Sequence, residues 1–114
     1  MAIWNEIKSL KIGTKIPKVR DGKVSRLLQF TESDGEDALC YSIGDAGNSK
    51  CVLKSEFESS FDILQSTGKL TREWYNAKFP KFASSRPCNF TTIGGILVLL
   101  SYAEYTSKGV YIRK

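Results

Sequence analysis

Apolar residues near the start of the chain recur at helical spacing: Ile3, Trp4, Ile7 and Leu10. That pattern places them on one side of a short helix, with Asn5, Glu6 and Lys8 facing outward. Gly13 is a natural stop. The stretch TKIPKVRDGKVSR (14–26) holds Pro17 and the turn pair Asp21-Gly22. It reads as a loop or irregular edge segment leading into a hairpin.

The period then shortens to two. SRLLQFT (25–31) has strand character, ESDGED (32–37) is an acidic turn centred on Asp34-Gly35, and ALCYSIG (38–44) is the returning strand. Its alternation puts Leu39, Tyr41 and Ile43 on one face, and Cys40 and Ser42 on the other. DAGN (45–48) is a further turn and SKCVLK (49–54) a third strand. Three antiparallel strands in a meander follow.

From Ser55 the pattern turns helical again. Ser55 and Glu58 have capping-box spacing, and Phe57, Phe61 and Leu64 mark a buried stripe joined by Ile63. This predicts a helix over 56–66 that leaves through Gly68. Thr71 can cap a second short helix anchored by Trp74 and Tyr75 and ended by Pro80. KFPKFASSRP (78–87) then reads as a long loop.

Residues 93–103, IGGILVLLSYA, are apolar apart from the small Gly94 and Gly95 and the hydroxyls of Ser101 and Tyr102. The run is too short for a membrane span, which needs about 20 apolar residues. Its adjacent glycines fit neither a phosphate-binding loop nor a dinucleotide fingerprint. Two readings remain. One is a buried helix over 91–104, capped by Asn89, Thr91 or Thr92, in which Ile93, Ile96, Leu97 and Leu100 share a face and the glycines admit a close neighbour. The other is a turn at the glycines followed by a central strand. Length and leucine content favour the helix. SKG (107–109) is a turn, and VYIRK (110–114) is a last strand.

Together these elements predict an α+β fold in a single compact domain, 1–114. A small antiparallel three- to four-stranded sheet packs against three or four helices, including a buried helix in the C-terminal region followed by a final strand. Trp4, Phe57, Phe61 and Trp74 are candidates to close the core.

Composition narrows the chemistry. The chain has no histidine, so Ser-His-Asp and Cys-His catalytic arrangements cannot be built within it. Its three cysteines are Cys40, Cys51 and Cys88, without a CxxC pair. They are expected as reduced, small buried side chains. A Cys40–Cys51 bridge requires that the two face each other on paired strands. No cofactor and no metal site are expected. The N-terminus lacks a continuous apolar signal core, and the location expected is cytoplasmic, with no membrane partner. The best imagined hydrolase site, Asp37 and Asp45 with Lys50 or Lys54, would need Mg²⁺ and has little specificity. Cys88 follows Arg86-Pro87 but has no evident base partner.

Charge placement says more than the net +5. Residues 1–26 carry Lys8, Lys11, Lys15, Lys18, Arg20, Lys23 and Arg26 against Glu6 and Asp21. Residues 68–90 carry Lys69, Arg72, Lys78, Lys81 and Arg86 against Glu73. Acids gather between the two blocks. The favoured expectation is a non-enzymatic module that contacts the phosphate backbone of DNA or RNA. Its candidate contacts are Lys15, Lys18, Arg20, Lys23, Arg26, Lys78, Lys81, Ser84, Ser85 and Arg86, with Tyr75, Phe79 or Phe82 available to stack on a base if exposed. The close alternative is a protein partner engaged through the acidic turn, Glu32, Asp34, Glu36 and Asp37. The two basic blocks form one surface only if 15–26 and 78–87 adjoin.

Overall fold

A computed structural model describes residues 3–18, 24–44 and 47–114. The fold is α+β, as expected. The first helix, α1 (Ile3–Lys8), buries Ile3, Trp4 and Ile7. Lys15–Ile16 form a short edge strand, β1, within the stretch that reads as a loop or irregular edge segment. β2 (Ser25–Ser33), β3 (Glu36–Ile43) and β4 (Asn48–Leu53) are the expected meander. The four strands make one antiparallel sheet in the order β1-β2-β3-β4. The turn between β2 and β3 needs left-handed backbone at both central positions. Asp34 (φ 51°) and Gly35 (φ 83°) supply it, which fits the right-handed twist of the hairpin.

Register corrects one expectation. Cys40 stands directly opposite Cys51, their Cα atoms are 4.0 Å apart, and the two are joined by a disulfide. They are not reduced thiols. Such a bond persists in oxidising surroundings and is rare where thiols are kept reduced. Cys88 is the free thiol.

α2 (Lys54–Thr67) begins two residues earlier than its periodicity predicts. The capping carboxylate is Glu56, not Glu58, and it accepts the Leu53 N–H at 2.8 Å. Ser55 lies inside the helix. Gly68 closes it in left-handed conformation, its N–H reaching the Leu64 carbonyl.

A second antiparallel sheet, β5-β7-β6, combines β5 (Lys69–Thr71), β6 (Ala103–Ser107) and the final strand β7 (Val110–Arg113). Thr71 caps α3 (Arg72–Lys78) as expected, accepting the Trp74 N–H at 3.1 Å. Pro80 ends α3 but also opens α4 (Pro80–Ser85), so most of 78–87 is helix rather than loop. Proline suits a first helical turn because the N–H it lacks has no partner there.

The glycine pair lies within α5 (Asn89–Leu99), a buried helix, which decides against the strand reading. α5 stops short of residue 104. Leu100 and Ser101 end it in a Schellman arrangement: Ser101 adopts φ 69°, its N–H bonds to Val98, and the Tyr102 N–H bonds back to Leu97. Tyr102 and Ala103 thereby leave the apolar run and enter β6. Ile93, Ile96 and Leu97 are buried in a core that also holds Trp4 and Phe57. Phe61 and Trp74 pack at its margin, and Tyr41, Tyr75, Tyr111 and Phe90 are among its largest members. No helix among the described residues is long and apolar enough to cross a membrane.

A candidate anion-binding cavity

Two polar constellations flank the start of α5. The first is closed. Glu56 is fully buried and accepts hydrogen bonds from Leu53 N–H, the Tyr75 hydroxyl and Asn89 Nδ2. Asn89 also donates to the Cys51 carbonyl and accepts from the Tyr41 hydroxyl at 2.7 Å. Burial pushes the Glu56 carboxyl above its ordinary range, opposed by the three donors that favour its charged form. Burial likewise raises Tyr41 and Tyr75, which therefore remain neutral donors.

The second is open. A cavity of about 490 Å³ lies between the ends of β2 and β3, the β6–β7 hairpin and the first turn of α5. Lys18, Arg72 and Lys108 line it, with Tyr41, Tyr105, Tyr111, Phe90, Cys88 and Thr91. No carboxylate is among the described residues of the lining. A smaller recess of about 290 Å³ shares Lys18, Tyr105 and Tyr111 and extends over Pro17, Gly95 and Val98.

Lys18 is held in place by oriented hydroxyls. Its Nζ donates to Thr92 Oγ1 at 2.6 Å and Thr91 Oγ1 at 3.1 Å. Both hydroxyls donate in turn to the Cys88 carbonyl, so their lone pairs face the lysine. The ammonium also stands 5.3 Å from the centre of the Tyr41 ring. Burial is the main cause that lowers Lys18 to about 8; the nearby Arg72 charge adds to the effect, and Cys88 opposes it. Arg72 is fixed by a bond from Nη1 to the Pro87 carbonyl and lies 4.8 Å from the centre of the Phe90 ring. Tyr105 is 42% exposed and braced edge-on by Tyr111, with ring centres 5.6 Å apart.

The two glycines set this geometry. A methyl group on Gly94 would fall on the ring carbons of Tyr111, and one on Gly95 would collide with the Pro17 carbonyl oxygen. Side-chain-free backbone at 94 therefore admits the Tyr111 ring, and at 95 it admits the chain that carries Lys18.

The expected basic surface is only partly assembled. Lys18 adjoins Pro87–Thr92, so the two blocks meet there. Lys15 and Arg26 are exposed partners across β1 and β2, and Arg26 also bonds to the Gly13 carbonyl. Lys78, Lys81, Ser84 and Ser85 are exposed along α3 and α4. Arg86 does not line the cavity: it pairs with Asp34 at 3.2 Å and bonds to the Cys51 carbonyl. Arg20 and Lys23 lie outside the described residues. Tyr75 is fully buried and cannot stack on a base, while Phe79 and Phe82 are half-buried beside α3 and under Arg86.

The acidic turn is half committed internally. Asp34 holds Arg86, and Glu36 accepts the Ser55 N–H at 2.7 Å. Glu32 and Asp37 are exposed and face each other across the ladder. Asp45 of the imagined hydrolase site lies outside the described residues. Among those described, no group of three or more Cys, Asp or Glu side chains is placed to hold a metal ion. Sequence reasoning missed Lys108, Tyr105 and Tyr111 altogether, and it counted Arg72 only as part of a block. Nothing local marks these residues, because the pairing of β5, β6 and β7 is what gathers them. No protein-family model matches this chain, and no similar curated protein or solved structure was found.

Proposed function

We propose that this protein binds nucleic acid, with the cavity beside α5 as its principal contact. The observation that carries the reading is the convergence of Lys18, Arg72 and Lys108 on one cavity whose described lining has no carboxylate. Cations gathered in a half-buried site repel one another, and an anion relieves the repulsion. Phosphate is the anion that nucleic acid offers at every nucleotide. Tyr105 presents an exposed aromatic face at the same place, suited to stacking on an unpaired base.

The rival reading, a protein partner engaged through Glu32, Asp34, Glu36 and Asp37, has less support because two of the four acids are engaged within the fold.

The test is retention of a mixed DNA and RNA library at low salt, followed by a salt titration. Affinity should fall steeply with salt, and neutralising Arg72 or Lys108 should reduce the slope by about one counterion each. A library that is not retained at low salt refutes the reading.

A further inference from the structure

The cavity has the volume of a small-ligand site, and this bears on what part of a nucleic acid it holds. We propose that it recognises a terminal phosphate monoester, the phosphorylated 5′ or 3′ end of a single strand, with the end nucleotide against Tyr105. This inference rests on the nucleic-acid reading and narrows it to one chemical group.

Size comes first. About 490 Å³ lies within the range of pockets that enclose small ligands. A single nucleotide is a ligand of that class.

Charge is the second argument. A backbone diester carries a single negative charge. A monoester carries about −1.5 to −2 at neutral pH, since its second ionisation lies near pH 6. Three cations from three separate parts of the fold, Lys18 before β2, Arg72 at the start of α3 and Lys108 in the β6–β7 turn, are more than a diester requires. They suit a dianion.

Hydrogen-bonding capacity agrees. Lys18 donates two of its three N–H groups to Thr91 and Thr92, which leaves one. Among the described residues Arg72 commits only Nη1, to Pro87, so most of its donor fork remains available for a second, two-pronged contact. Cys88 and Thr91 bring the opening turn of the eleven-residue helix α5 to the same wall, and the positive end of its dipole adds to the side-chain charge.

The experiment compares one fluorescent oligothymidylate in three forms: 5′-phosphorylated, 3′-phosphorylated, and with hydroxyls at both ends. One phosphorylated form should bind at least about tenfold more tightly than the hydroxyl form. Lys18→Met and Arg72→Lys should each erase that preference in protein whose circular dichroism matches wild type. Thymidine monophosphate should compete, and it should protect Cys88 from alkylation. Equal, salt-sensitive binding of all three forms overturns end recognition and leaves the broader reading standing. No binding of any form overturns both. A preference that survives in Lys18→Met and Arg72→Lys places the phosphate elsewhere and overturns the assignment to this cavity.

Discussion

Glu56 and Lys18 are both drawn out of water beside the start of α5, and the fold treats them in opposite ways. Glu56 meets three donors, which themselves tie β4, α3 and α5 together. Lys18 meets two threonine hydroxyls and another cation, in a wall with room in front of it. A buried charge that is fully satisfied holds structure together, whereas one left facing open space and like charge calls for a ligand. The contrast between an acid tied into the fold and a base left facing open space can be broken by experiment.

The largest effect should come from the core that both sites share. Leu97→Asp places an unpaired charge in a fully buried position and should abolish cooperative folding. Soluble Leu97→Asp protein with a wild-type melt would contradict the packing of α5. Next in size is Glu56→Ala, which strands Tyr75, Asn89 and the Leu53 N–H. It should cost about 3 kcal/mol in denaturant unfolding, because each buried orphan forfeits its desolvation energy. Oligonucleotide affinity of the folded fraction should be unchanged. Gly95→Ala should join the two regions. Displacing Pro17 should cost about 1–3 kcal/mol, as overpacking does. It should also weaken binding, because Lys18 follows Pro17 directly.

Smaller again is the effect of pH. The Lys18 amine lies at about 8 in the fold against 10.5 in an unfolded chain. The folded state therefore loses its proton first, and wild type should gain stability relative to Lys18→Met as pH rises from 8 towards 10. The phosphate-dependent part of binding should fade over the same rise, since the neutral amine no longer attracts an anion. Above pH 10 the sign reverses. Tyr41, Tyr75 and Tyr111 are all raised by burial, Tyr111 to about 12, so their neutral forms stabilise the fold until base removes the proton. Unfolding free energy should then fall, as chemical denaturation across a pH series can show. The smallest change is Lys18→Met at pH 7, which should alter stability by less than about 1 kcal/mol while binding weakens at least about tenfold. The reverse result, lost stability with intact binding, would make Lys18 a structural residue like Glu56.

The chain announces one of these regions better than the other. The meander, the Asp34-Gly35 turn, the Thr71 cap and the buried helix around Leu97 are local patterns, read from spacing and turn chemistry. Glu56 carries no local mark, because Ser55 and Glu58 offer the same spacing two residues on, and only tertiary burial chooses between them. The helix after Pro80 was hidden because proline both ends and begins helices. The cavity is the least legible part. Of its cations, Lys18 stood out in a basic block. Lys108 sits in an ordinary turn, and nothing in its surroundings links it to a lysine ninety residues earlier. Gly94 and Gly95 were visible as points of close approach, but the neighbours they admit, Tyr111 and Pro17, are known only once the sheets are placed.

The most direct measurement is amide NMR mapping of a 5′- or 3′-phosphorylated oligothymidylate on the wild-type protein. The expected shifts centre on Lys18, Arg72, Cys88, Thr91, Lys108 and Tyr111, with little change along Lys78–Ser85. Shifts centred on α4 or on the acidic turn, with the cavity silent, would contradict the assignment of function to this site.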